Sequence, residues 1–345
     1  MKVESNRDEW RKCAPPSNML WLLLGVVTIL VTTGCQANPY TGRWQLMMMP
    51  MSQEVQMGAQ AYADVKSDPK MKPSTDPREI EPVKRVAARV IEAAKRSKYS
   101  DMANQFEWEV TVIKDDKTMN AFALPGGKIA VYTGIFPVAK TEAGLAAVMG
   151  HEVVHALARH GGERMSQNTL AQTTLQAIGI ALGVSGADPV LSQAGMAALG
   201  VGAQVGVLLP FSRKHESEAD YVGVLLAADA GYDPREAIQL WQRMGELSGG
   251  KSTSEFMSTH PSHETRIEQL EEWMAEAMPI YQSKPHAPSS DLPLRCNLSF
   301  ANRCPMRGYA PSCSCCGTVL GEHQHGRCTH ARLTTHESKA AGKPT

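Results

Sequence analysis

The chain has 345 residues, with lysine plus arginine equal to aspartate plus glutamate at 35 each. That length can bury a real core, and the charge balance argues against nucleic acid or a strongly charged membrane surface as the main partner. A low aromatic content of 6% beside 18 methionines suits a helical protein packed through alanine and methionine, with helix outweighing strand.

Lys2, Arg7, Arg11 and Lys12 precede an apolar or neutral stretch from Met19 to Val31, the charged-then-hydrophobic order of a secretory signal. The stretch is short for a membrane span. Thr32-Thr33-Gly34-Cys35 follows and resembles a bacterial lipobox. Residues 1–34 are therefore expected to be a lipoprotein signal peptide, with Cys35 acylated as the first mature residue. An uncleaved signal anchor is the alternative. Gln36 after the cysteine favours the outer membrane, by resemblance to lipoprotein sorting rules. The expected location is the periplasmic side of a bacterial cell envelope, held by a lipid anchor, with residues 35–51 as a tether.

Ser52 with Glu54 can cap a first helix carrying Val55, Ala61, Tyr62 and Val65, which a Pro/Lys/Asp-rich loop ends. Ile80, Val83, Val86, Ala87, Val90, Ile91 and Ala94 then recur at helical spacing, an amphipathic helix. Phe106, Trp108, Val110 and Val112 alternate with polar residues, the period of a strand with one buried face. Asn120 to Gly127 supplies a turn, and Lys128, Ile129, Ala130, Val131 and Tyr132 read as a strand pairing back across it. From Thr141 a long helix carries Leu145, Val148, Met149, Val153 and Leu157, closed by Gly161-Gly162. Residues 168–210 are apolar and read as buried or interfacial helices. Ser212 can cap the next helix, with Gly231 as its stop; Asp233 to Glu236 opens another, and Ser262 the last.

None of the eight cysteines lies between Cys35 and Cys296, so the central region folds without bridges. After Gln282 no apolar period remains. Residues 52–283 are read as the catalytic domain and 284–345 as a Cys/His/Pro-rich tail, expected to be disordered and dispensable. The tail lacks the paired spacing of a structural zinc site.

His151-Glu152-Val153-Val154-His155 is an H-E-x-x-H pattern, and on a helix its histidines lie one turn apart on one face. That spacing lets both imidazoles reach one Zn2+, while Glu152 beside them can act as general base on the attacking water. A third ligand must come from elsewhere. Glu216 and Asp220 share a helical face, so Glu216 can bind zinc while Asp220 fixes a ligand histidine's ring from behind. Glu218 and His215 point elsewhere on that helix and read as a solvated polar face.

His-Glu-Val-Val-His, Ser212-Arg-x-x-Glu216-x-x-Ala-Asp220, Asn-Ala-Phe-Ala-Leu-Pro-Gly-Gly before them and Thr259-His260-Pro261 after them resemble the gluzincins. Within that group the chain is similar to Ste-type prenyl-protein endopeptidases, HtpX and BepA-like periplasmic proteases, and most to the soluble lipoprotein-type branch. The resemblance implies an α+β, mainly helical, zincin-like domain with a small β-sheet. It also implies one zinc on His151, His155 and Glu216, and Glu152 as base. The substrate would lie extended along an edge strand, to which residues 128–132 fit. His260 matches a histidine that approaches the metal in some relatives, as a plug or an oxyanion donor; a plain loop histidine is the alternative. The implied activity is endopeptidase cleavage of misfolded or misassembled envelope proteins. The competing reading is a metal-binding chaperone or assembly factor that holds unfolded clients without cleaving them. Glu152 favours catalysis, since a pure binder has no need of a general base.

Overall fold

The computed structural model describes residues 35–184, 196–197, 209–248, 260 and 265–293. Residues 1–34, read above as a signal, and the cysteine-rich tail beyond residue 293 lie outside them. A short hairpin, β1 (Cys35–Ala37) and β2 (Trp44–Leu46), opens the described chain. It is followed by helices α1 (Met51–Ser67), α2 (Pro77–Arg96) and α3 (Ser100–Gln105). Strands β3 (Glu109–Ile113), β4 (Ala121–Leu124) and β5 (Lys128–Tyr132) form the only three-stranded sheet among the described residues. The remainder is helical: α4 (Phe136–Ala139), α5 (Glu142–Leu157), α6 (His160–Val184), α7 (Leu209–Asp229), α8 (Glu236–Ser248) and α9 (Arg266–Gln282). No helix among the described residues is long and apolar enough to cross a membrane.

The amphipathic α2 behaves as its periodicity requires. Asp76 caps it by accepting from the Arg78 amide, Pro77 occupies the first turn, and Val83, Val86, Ala87, Val90, Ile91 and Ala94 are buried. Helix α5 is capped by the Thr141 hydroxyl, which accepts from the Gly144 amide. All of α5 but Ala147 and His155 is buried, as expected of a helix apolar all round. It ends at Leu157 rather than at Gly161-Gly162, because Arg159 adopts a left-handed backbone (φ 56°) and restarts the chain as α6.

Helices α5 and α7 cross glycine on glycine. A Cβ on Gly150 would stand 2.6 Å from the Gly223 carbonyl oxygen, and one on Gly223 would stand 2.8 Å from the His151 amide nitrogen. Only hydrogen fits there, and the close approach brings the two motif-bearing helices face to face. Gly223→Ala should lower unfolding free energy by about 1–3 kcal/mol through overpacking. Urea denaturation checks this, and an unchanged midpoint would mean that the crossing can open without cost.

Three expectations are corrected here. Strand β5 does not form an edge: it is the centre of the sheet, parallel to β3 and antiparallel to β4. Its backbone is engaged on both sides, so the substrate-edge role expected of Lys128, Ile129, Ala130, Val131 and Tyr132 does not hold. The alternation in residues 106–112 and 128–132 reports a buried face and carries no information on strand order. Second, residues 35–51 are no free tether: the hairpin docks on the helices, burying Asn38 and Gln45, with Cys35 half-buried at its start. Three-residue strands are too short to show a period. Third, residues 284–293 are packed. The Glu142 amide donates to the Ser290 carbonyl, the Leu292 amide to the Lys140 carbonyl, and Leu292 is buried. An extended segment held by backbone hydrogen bonds leaves no apolar repeat in the sequence, so the folded domain runs on past Gln282.

Candidate metal centre

His151 and His155 project from one face of α5 toward Glu216 on α7. The His151 and His155 Nε2 atoms are 3.0 Å apart, and the Glu216 carboxylate lies 3.3 Å from the first and 3.5 Å from the second. His260 Nδ1 completes the group, 3.2 Å from His151 Nε2 and 3.0 Å from Glu216 Oε2. Four donor atoms thus lie within 4.8 Å of one another. Ligands about 2.0–2.1 Å from a tetrahedral zinc stand about 3.3–3.4 Å apart, so the spacing of these donors fits that ion. The electrostatics agree. Burial disfavours a charged His151, yet the Asp220 and Glu216 carboxylates outweigh it and push the imidazole up to about 9, so positive charge at this point is stabilised.

Asp220, one turn beyond Glu216, accepts a hydrogen bond from His151 Nδ1 at 2.8 Å. This turns the His151 Nε2 lone pair toward the cluster. Asp220 is itself clamped by Arg266, whose Nε and Nη2 both donate to its carboxylate, Nη2 to Oδ1 at 2.7 Å. Burial works against the Asp220 charge, but Arg266 holds its carboxyl below the usual range. Arg266 is 2% exposed, and its guanidinium carbon sits over the Trp241 ring, 3.4 Å from its centroid. Its place at the centre of the site has no local signature in the sequence.

Glu152 is buried, and its Oε1 has no hydrogen-bond partner among the described residues; His260 Nε2 lies 3.4 Å away. Burial raises its pKa above the ordinary glutamate value. A buried carboxylate oxygen without a donor is costly. Such an atom beside a donor cluster is suited to receive a proton.

His215 and Glu218 are corrected as well. They are 2% and 4% exposed, part of a second buried network with His160, Glu163 and Arg43. Residues with polar neighbours on every side of a helix read as solvated when their partners are distant in sequence. Glu163 illustrates the energetics. Burial raises its pKa, but hydrogen bonds from His215, Arg43 and Gln45 prevail and bring it down to about 2. A carboxylate depressed in the fold contributes stability above its unfolded value and loses it as pH falls toward the folded one. Glu163→Gln should therefore cost roughly 3 kcal/mol at pH 7 and progressively less as pH falls from about 4.5 toward 2. Urea titrations at pH 7, 5 and 3 check this; a deficit independent of pH would refute it.

The edges of the sheet are β3, paired at its end with residues 72–74, and β4, which packs beside α5. Because the Tyr132 amide donates to the Asn120 carbonyl, the hydrogen-bonded pairs of the β4–β5 ladder fall at even-numbered residues of β4. Ala121 and Ala123 therefore turn their N–H and C=O groups outward. Pro125-Gly126 closes the β4–β5 turn, with Gly126 at φ 87°.

The model for Peptidase family M48 matches residues 77–274. The chain is 40% identical over 243 residues to the mitochondrial metalloendopeptidase OMA1 of Schizosaccharomyces pombe, covering 69% of this chain and 66% of that protein. With its Saccharomyces cerevisiae counterpart the identity is 28% over 273 residues, 76% of each chain. With the beta-barrel assembly-enhancing protease of Yersinia pestis it is 30% over 151 residues, 43% of this chain and 31% of that one. These findings overturn the expected location on a bacterial outer membrane: the more extensive matches are to mitochondrial proteins of eukaryotes, and the bacterial one is shorter. A basic, then apolar leader and a small-residue cysteine motif do not by themselves specify a lipoprotein signal.

Proposed function

From the premise that the chain belongs to peptidase family M48 and is a zinc metalloendopeptidase, we infer that His151, His155 and Glu216 hold the ion and Glu152 is the general base. The observation that carries this reading is the convergence of those three residues beside the buried Glu152 carboxylate. Zinc, when bound, supplies a Lewis acid for the scissile carbonyl and the attacking water. Glu152 takes the water's proton and returns it to the leaving amine, its basicity raised by burial above the ordinary glutamate value. Asp220 and Arg266 keep the His151 ring aimed. A substrate segment adds to β4 as a further strand, its backbone pairing with Ala121 and Ala123.

His260 stands at the fourth corner of the cluster, where the water must enter. It acts as a plug in this arrangement and must move aside for turnover. The substrates proposed are misfolded or misassembled proteins. The Yersinia relative, named for enhancing beta-barrel assembly, supports that class, and the mitochondrial names of the yeast relatives favour that compartment. The competing holding-factor reading gives no role to a carboxylate buried beside the donor cluster.

Purified full-length protein should cleave an unfolded protein such as casein, lose that activity on chelation and recover it with zinc. Cleavage that persists in chelator, or client binding with no cleavage at any zinc concentration, would refute the proposal.

A further inference from the structure

Behind His155, on the side away from the metal cluster, a chain of buried groups runs to the N-terminal hairpin. His155 Nδ1 lies 2.9 Å from His160 Nδ1, and His160 Nε2 lies 2.9 Å from Glu218 Oε2. Glu218 accepts from Arg43 Nη2 at 2.7 Å and from the Thr41 hydroxyl, both in the loop between β1 and β2. Arg43 also grips Glu163 with two hydrogen bonds, of 2.7 and 2.9 Å. The His215 ring stacks on His160 at 4.5 Å between centroids and 12° between planes, and its Nε2 bonds Glu163 at 2.9 Å. His160 is 1% exposed.

The direction of these hydrogen bonds follows from the chemistry of the partners. A histidine that gives its Nε2 lone pair to a metal carries its proton on Nδ1. His155 therefore donates through Nδ1, and His160 Nδ1 must accept. The His160 proton then sits on Nε2, facing Glu218, which as a carboxylate can only accept. Each link is compatible with the next in one direction only. His151 shows the same order with one imidazole fewer: ligand histidine, carboxylate Asp220, buried Arg266.

We propose that His160, Glu218 and the hairpin residue Arg43 are positioning residues for the metal site: Arg43 holds Glu218, Glu218 fixes the tautomer of His160, and His160 orients the ligand His155. The N-terminal hairpin is thus a structural part of the metal centre, although it precedes residue 77, where the family match begins. Displacing it would loosen the metal without touching a ligand.

This rests on the assignment of His155 as a ligand, and the test separates the two claims. Full-length protein labelled with 15N-histidine and loaded with zinc should show a hydrogen-bonded proton on His155 Nδ1 with scalar coupling to His160 Nδ1. Its absence overturns the relay without any substitution. In chelator competition, His160→Leu should bind zinc about 10–100-fold more weakly, while His160→Gln, which can both accept and donate, should recover most of the loss. Arg43→Met should weaken binding in the same direction by about three- to tenfold. A folded His160→Leu protein with wild-type zinc affinity overturns the relay, and a folded Arg43→Met protein with wild-type affinity overturns the part given to the hairpin. Wild type in which His155 Nε2 shows no metal-bound nitrogen shift would instead defeat the ligand assignment itself.

Discussion

Glu152→Gln should leave a folded protein that still takes up zinc but cleaves casein about a thousandfold more slowly than wild type, a loss typical of removing a positioned general base. The amide fills the same volume within the α5 helix, where Glu152 is buried. It cannot accept and return a proton. Ligand geometry should survive, because the donors that converge are His151, His155, Glu216 and His260. Stability should move the other way. Burial raises the Glu152 pKa, so its charged form is disfavoured in the fold and the neutral amide should melt no lower than wild type at pH 7. Metal content by mass spectrometry, thermal melting and casein turnover on one preparation check all three expectations. Turnover within tenfold of wild type would remove Glu152 from the role of base.

The parts of this site legible in the sequence are those whose chemistry demands local spacing. Two histidines one turn apart with a glutamate between them fix a metal-binding face before any fold is known, and Glu216 with Asp220 repeats the device on a second helix. The α2 core face was legible for the same reason, since helical periodicity is a local property. What stayed hidden depends on long-range placement. Arg266 reaches Asp220 from another helix, and Arg43 reaches Glu218 from the hairpin. His160 is hidden differently. Five residues past His155 on an unbroken helix it would face another way, but the left-handed Arg159 turns the chain so that the two rings meet. The place of β5 at the centre of the sheet was equally unreadable, because a strand's alternation is the same at an edge or in the middle.

Glu216→Gln and His260→Ala should fail in opposite senses, although both residues sit in the same four-donor cluster. Glu216 supplies the only carboxylate in that cluster, and its loss leaves three neutral imidazoles, one of them the plug His260, with no anionic ligand for the dication. A neutral amide oxygen is a poorer partner for a dication. Glu216→Gln should therefore lose zinc on dialysis and, with it, casein cleavage. It should also free the Arg266 Nη2 and His260 Nδ1 contacts that Glu216 now receives. His260 stands where water must enter, its Nε2 3.4 Å from the base Glu152. Removing it deletes one donor of four and opens the remaining corner. His260→Ala should thus keep one zinc per chain and cleave casein faster than wild type. Zinc content and turnover of the two variants, measured together, decide the matter. Full zinc in Glu216→Gln would make another residue the third ligand, whereas metal loss in His260→Ala would make His260 an obligatory ligand and end its reading as a plug.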